Sequence, residues 1–157
     1  MNLFILNLLL SLAWLGLTGQ FTPVNFIVGF ILAYILLWLT LGSGGRGSYF
    51  KKVLQVIRFA LFFLWEVITA NYRVVREILT PSHSMRPGIV AVPLNAHTDL
   101  EIVAFANLIT LTPGTLSLDV SSDRSTLFVH AMFIDDVDDF KNHLKQGLEQ
   151  RLLEVMR

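Results

Sequence analysis

Residues 106–120 read ANLITLTPGTLSLDV, and this stretch supports two incompatible structures. Read alone, residues 108–112 and 115–120 alternate apolar and polar side chains about a Pro-Gly dipeptide, the pattern of a β-hairpin. Read with what precedes it, the first arm is the end of a helix. The segment TDLE at 98–101 has capping-box spacing: the Thr98 hydroxyl can cap the first turn while the Glu101 carboxylate returns to the amide of the cap. A helix opening there runs through LEIVAFANLITL and stops near Thr112, because Pro113 cannot continue it and Gly114 releases the turn. The chain is therefore predicted to place residues 115–120 in a strand. That strand pairs, across the polar turn SSDRS, with residues 126–132.

Outward from this unit, residues 89–94 form a short β-rich run. Asp135, Asp136, Asp138 and Asp139 open a last helix, along which Val137, Phe140, Leu144, Leu148, Leu152 and Val155 share one face. Acid at its start and Lys141, Lys145, Arg151 and Arg157 further on suit the helix dipole. Residues 81–157 thus read as a small β-α-β-β-α domain. A right-handed crossover makes its first two strands parallel and its third antiparallel to the second. The helix from Thr98 is apolar nearly all round, through Leu100, Ile102, Val103, Phe105, Leu108, Ile109 and Leu111. A three-stranded sheet covers only one of its faces, so the other is expected to rest on membrane, on the helix of residues 51–76, or on another protein.

The rest of the chain is of a different kind. Of 157 residues 54% are hydrophobic and 15% charged, and residues 1–45 contain no charged side chain. Residues 46–76 hold six cations (Arg46, Lys51, Lys52, Arg58, Arg73, Arg76) against one anion, Glu66, while residues 77–157 hold six cations against eleven anions. A formal net charge of zero therefore hides about +5 followed by −5. A neutral apolar start, a basic collar and an acidic polar domain suit a membrane-anchored protein whose collar meets anionic lipid headgroups on the cytoplasmic side. The start lacks the basic residues and small-residue cleavage site of a secretory signal, so the first segment is expected to stay in the mature protein. The absence of cysteine excludes disulfides, thiol catalysis and cysteine-ligated metal.

Residues 3–17 and 24–41 are apolar runs separated by TGQFTP, with Thr22 and Pro23 forming a helix start. They predict a two-helix transmembrane hairpin over residues 1–45. Gly29 and Ala33, four apart, form a small notch where another helix can approach closely. Asn7 is placed to hydrogen-bond across the helices. GSGGRGS at 42–48 lacks the Lys-Ser/Thr ending of a phosphate-binding loop and reads as a linker.

Residues 46–80 hold a basic linker and an amphipathic helix whose polar positions 52, 55, 58, 66, 69, 73 and 76 form one stripe, with Phe62 in its gap. Spanning would bury Arg58 and Glu66, whereas a helix lying in the interface keeps its stripe wet. Two spans also leave the flanking cations on one side of the membrane. The sequence favours two spans plus an interfacial helix, with a third span as the alternative.

Catalytic chemistry finds little footing. The aspartates lack the ligand spacing of a calcium loop, the four histidines form no pair at zinc spacing, and no serine sits in a nucleophile elbow. No cofactor, metal, nucleic acid or enzymatic activity is expected. Arg58 and Glu66, two turns apart on the stripe, are candidates for an anchoring contact or, less simply, for a part in ion movement.

The stretch at 106–120, followed by SSDRSTLFVHAM, closely resembles the most characteristic segment of the E subunit of Mrp-type (Mnh) multisubunit sodium/proton antiporters. It includes Asn107, Leu108, Thr110, Thr112, Pro113, Gly114, Leu118 and Asp119. The resemblance implies an accessory subunit of the bacterial inner membrane, partnered by other antiporter subunits and by lipid, in a complex exchanging sodium or another monovalent cation for protons. It transfers no catalytic residue. The motif itself reads as structural, with Thr110, Thr112 and Thr115 tying helix end to strand. The rival reading is a membrane-tethered ligand-binding or regulatory α/β module.

Overall fold

A computed structural model describes residues 3–41, 48–80 and 85–157, so the glycine linker at 42–47 and the start of the connection at 81–84 lie outside the described residues. The chain forms two compact units, residues 1–54 and 55–157.

In the first unit, α1 (Leu3–Thr18) and α2 (Pro23–Leu41) make the expected hairpin. Thr22 caps α2 by accepting the Asn25 N–H (3.2 Å), and Pro23 opens the helix. The Asn25 side chain closes the turn: its amide donates to the Thr18 hydroxyl and the Gln20 carbonyl, both at 2.7 Å, and its oxygen accepts the Trp14 indole N–H at 3.0 Å. Both helices bury a seam of four-residue spacing, Asn7, Ser11 and Leu15 on α1 against Gly29, Ala33 and Leu37 on α2. The notch at Gly29 and Ala33 is thus filled from within the chain. A Cβ at Gly29 would stand 2.8 Å from Trp14 Cδ1, so the helix that approaches is α1 and the notch is closed to an outside partner. Outward, Phe4, Leu9, Ile27, Ile31 and Leu39 are exposed, as lipid-facing residues are.

A third helix, α3 (Ser48–Leu79), begins in the first unit and continues into the second. Asn7 bonds across helices as expected, but to α3 and not to α2: its amide donates to the Tyr49 hydroxyl at 2.9 Å. Tyr49 sits in an aromatic cluster with Phe4, Tyr34 and Phe50. By length and composition, two helices are sufficient to cross a bilayer, Pro23–Leu41 and Tyr49–Leu79; the described part of α1 is 16 residues.

The second unit carries β1 (Gly88–Pro93), α4 (Asp99–Leu111), β2 (Thr115–Val120), β3 (Thr126–Ala131) and a final helical stretch from Val137 to Met156. The opening ambiguity resolves as a helix followed by a strand. Thr98 accepts the Glu101 N–H while Glu101 accepts the Thr98 N–H, and α4 ends at Leu111. The sheet order is β1-β3-β2, with β3 antiparallel to both neighbours. β1 and β2 run in the same direction, yet no parallel pair forms because β3 lies between them, a split β-α-β arrangement. Between Ser117 and Asp119 the register shifts, leaving Leu118 as the extra residue of a bulge.

Val90, Val92, Leu127 and Val129 on one face of the sheet pack against Phe105 and Ile109 of α4 and against Leu144, Leu148 and Leu152. Leu100, Val103 and Leu111, on the far side of α4, are exposed.

The last helix departs from the expected continuous one. It consists of α5 (Val137–Asn142), a π-helical segment (His143–Glu149) and α6 (Gln150–Met156). The cause is in the spacing. Phe140, Leu144, Leu148 and Leu152 recur every fourth residue, which outruns the 3.6-residue α period, and a wider turn takes up the difference. Val137 is exposed and takes no part in the core.

Replacing Gly29 by valine is expected to lower the stability of the detergent-solubilised chain by about 1–3 kcal/mol through overpacking against Trp14. Gly16→Ala, with nothing within 4 Å of its Cβ, should leave thermal unfolding unchanged or slightly raised. Circular-dichroism melting of the two variants checks both; equal melting would refute the close approach of α1 and α2.

Candidate functional site

The polar stripe of α3 is where the sequence placed Arg58 and Glu66, and the structure leaves most of that stripe exposed while setting Glu66 and the neighbouring Phe62 against the α/β domain. Phe59, Phe62 and Phe63 pack on the core. The Arg151 guanidinium lies 4.1 Å from the Phe62 ring centre, and that of Arg73 lies 5.8 Å from the Phe133 ring. Glu66 Oε2 stands 3.1 Å from His143 Nε2, and its side chain is only 17% exposed. Glu77 accepts the Met85 N–H at 3.2 Å. The opposite flank of α3, including Leu61, Leu64, Trp65, Ile68, Tyr72 and Ile78, is exposed. The expected wet stripe holds at Gln55, Arg58, Thr69, Arg73 and Arg76, which are exposed, and is corrected at Phe62 and Glu66, which the globular domain covers in part.

Between α3 and the domain lies a cleft of about 400 Å³, lined by Glu66, Thr69 and Arg73 from α3, by Thr112, Pro113, Gly114 and Thr115, and by Asp135, Asp136, Asp139 and His143. It brings Glu66 together with the Pro-Gly motif. Arg58 is elsewhere; it lines a second cavity with Gln55, Gln146, Gln150 and Arg151. Arg58 and Glu66 do not pair; the partner of Glu66 is 77 residues distant.

The motif corner is built as its residue types suggest. Gly114 adopts φ +89°, and a Cβ there would lie 3.4 Å from the Phe133 ring. Its carbonyl accepts the Met132 N–H at 2.8 Å. The Thr112 hydroxyl donates to the Leu108 carbonyl (3.0 Å), the Thr115 hydroxyl to those of Ile109 and Thr112 (2.7 and 2.9 Å), and Thr110 accepts the Ser117 N–H (3.2 Å). These bonds fasten the end of α4 to β2. Leu108 packs against the core, Asn107 and Leu118 are exposed, and Asp119 folds back onto the Val120 N–H. Asp136 caps α5 by accepting the N–H groups of Asp138 and Asp139, while Asp138 pairs with Lys141. Among the described residues no three His, Asp or Glu side chains gather as a metal site.

Sequence reading missed a second polar assembly. The loop after β1 presents four consecutive backbone N–H groups to two carboxylates. Glu149, fully buried at the end of the π segment, accepts those of Asn95 and Ala96; Glu101 accepts those of His97 and Thr98. Arg157 completes the clamp, donating to Glu101 at 2.9 Å and to the Asn95 carbonyl at 3.3 Å. The Arg157 hydrogen bond, followed by the two backbone donors, holds the Glu101 carboxyl down from 4.5 to about 2. The same pairing raises Arg157. In the β2–β3 turn, the hydroxyls of Ser121 and Ser125 lower Asp123 to about 2. The one signal for Glu149 was a carboxylate adjacent in sequence to Leu148 in the apolar file; its inward aim accompanies the π turn.

The family described as Na+/H+ ion antiporter subunit matches residues 7–155. The chain belongs to that family. The E subunit of the Na(+)/H(+) antiporter of Bacillus subtilis is 35% identical over 153 residues, covering 98% of this chain and 97% of the relative. That of Alkalihalophilus pseudofirmus is 31% identical over the same length, with the same coverage. A chain of the Mrp complex from Dietzia sp. DQ12-45-1b is 35% identical and superimposes with a TM-score of 0.52, covering 66% of this chain and 97% of that one. A chain of the membrane-bound sulfane sulfur reductase, an archaeal respiratory membrane complex, is 29% identical with a TM-score of 0.60, over 98% of both chains. The chain is thus a subunit of a membrane antiporter family, and the resemblance carried by residues 107–132 extends over nearly its whole length.

The clamp generates an acid-stability prediction. Because folding depresses the Glu101 carboxyl from 4.5 to about 2, its stabilisation is complete above the unfolded value and is lost as pH falls from about 4.5 toward 2. The melting temperature of the full chain in detergent should fall over that window, and Glu101→Gln should be less stable at neutral pH with a flatter acid profile. An unchanged profile would remove Glu101 from the account.

Proposed function

We propose that this antiporter subunit is a non-catalytic assembly element: two spans hold it in the bacterial inner membrane, α3 lies along the cytoplasmic interface, and the α/β domain sits in the cytoplasm against α3. Its partners are the other subunits of the antiporter. The relatives in Bacillus subtilis and Alkalihalophilus pseudofirmus are named as antiporter subunits, and the Dietzia chain is part of an Mrp complex. The hairpin carries no carboxylate, histidine, lysine or arginine, so it has no group with which to relay protons or bind a cation at membrane depth by itself.

The observation that carries the interfacial reading is the contact of α3 with charged groups along its middle. Arg151 on Phe62, His143 on Glu66, and Asp135 and Asp139 at the cleft all belong to the folded domain. A spanning α3 would draw those groups into hydrocarbon at a cost of several kcal/mol each. An interfacial α3 presents Leu61, Trp65, Ile68 and Tyr72 to lipid, keeps Glu66 on the domain and leaves the rest of its stripe in water.

Two experiments test this. Purified alone in liposomes, the chain should leave an imposed pH gradient untouched when sodium is added, while the complex assembled without it should lose antiport. Robust exchange by the lone chain would overturn the assembly role. The chain has no native cysteine, so Gln20→Cys and Ser125→Cys give clean reporters. In membrane vesicles holding the whole complex they should label from opposite faces, and labelling from the same face would mean that α3 crosses.

A further inference from the structure

Arg58, singled out by the sequence, has no part in the cleft beside Glu66. It stands exposed at a cavity of about 400 Å³ between α3 and the C-terminal helix, where Gln55, Gln146, Gln150 and Arg151 also converge. Among the described residues neither Arg58 nor Arg151 pairs with a carboxylate; Arg151 is held instead by the Phe62 ring at 4.1 Å. The carboxylate at the rim, Glu154, accepts from Gln150 and has a further interaction of its own. Two guanidinium forks and three amide side chains around one concavity form a donor-rich site, and such donors match the oxygens of a phosphodiester.

The surroundings decide which phosphodiester. Leu61, Trp65, Ile68 and Tyr72 follow Arg58 at the i+3, i+7, i+10 and i+14 positions of the same helix. They are exposed by 63, 64, 52 and 71% respectively. A cation heading a file of exposed aliphatic and aromatic residues is the arrangement of a lipid contact, with the headgroup at the charge and the file dipping into the acyl region beneath it. A soluble phosphate would use the donors and leave the file without a role.

We propose that the Arg58–Arg151 cavity binds the headgroup of one anionic phospholipid, which seals the joint between α3 and the C-terminal helix. The proposal rests on the interfacial placement of α3, which sets the cavity at headgroup depth. Arg58 supplies the mobile fork, Arg151 the fixed one, and the Gln55 and Gln146 amides the remaining donors.

The test uses the full chain in neutral detergent, titrated with short-chain phosphatidylglycerol, short-chain phosphatidylcholine or inorganic phosphate, with binding followed by calorimetry and thermal shift. Phosphatidylglycerol is expected to saturate near one per chain and raise the melting temperature, with phosphatidylcholine and inorganic phosphate far weaker. Arg58→Gln, at an exposed position, should weaken phosphatidylglycerol about tenfold or more without lowering the melting temperature of the lipid-free chain, as loss of a charge-assisted fork implies. Lys51→Gln, a cation outside the cavity, should leave binding unchanged. Equal binding of both lipids, or an Arg58→Gln variant that binds as well as the parent, would overturn the site. Inorganic phosphate binding as tightly as the lipid would overturn the lipid assignment. Because this measurement needs no bilayer, its failure is separable from that of the interfacial reading. Selective binding alongside same-face cysteine labelling would keep the site and discard that placement; unselective binding with opposite-face labelling would do the reverse.

Discussion

The structure depends on one constraint, that a single helix of 32 residues carries an exposed apolar flank and, beside it, a flank that meets a charged protein surface. α3 meets it by sorting its side chains around the axis, Leu61, Trp65 and Ile68 outward and Phe59, Phe62 and Phe63 against the core. Glu66 then has a domain histidine within reach, and Arg73 an aromatic face. Covering a charged side chain such as Glu66 is costly in hydrocarbon and tolerable against a partner that supplies opposite charge or π density. The domain is that partner, so the amphipathicity of α3 and the polarity of the domain surface beside it form one device.

A second constraint acts inside the domain. The loop between β1 and α4 leaves a run of N–H groups that would be orphans if buried without acceptors. Glu101 is local and answers two of them from within the first turn of α4, while Glu149 answers the other two from more than fifty residues away. Such a run of amides is a ready site for an anion, and here the chain occupies it with its own carboxylates. The loop is therefore a fastening between sheet and C-terminal helix. Among the described residues one oxygen of Glu149, Oε2, is without a hydrogen-bond partner, a cost the domain bears at this joint.

What the sequence made legible was local. Thr98 with Glu101, Pro113 with Gly114, and Thr22 with Pro23 each act within a few residues, and each marks its boundary correctly. The threonine ties of the motif corner were readable for the same reason. The four-residue spacing of Gly29 and Ala33 revealed a close approach but carried no information about which helix approaches. The Glu66–His143 contact joins positions separated by 77 residues, and no periodicity on either helix encodes it. The stripe of α3 was found correctly by its spacing, yet what faces it is a property of the folded domain. The insertion of β3 between β1 and β2 likewise follows from how the sheet closes over its core, which strand patterns alone leave open.

The π segment has a consequence of another kind. One extra residue in a helical turn rotates everything after it by about 100° relative to everything before it. With that phase change Leu144 and Leu152 both lie in the core and Glu149 meets the amides of Asn95 and Ala96. The two halves of the helix are thus geared by a single surplus position. A relative that lacks it must regain the phase by a compensating shift or hold its β1–α4 loop with a different acceptor.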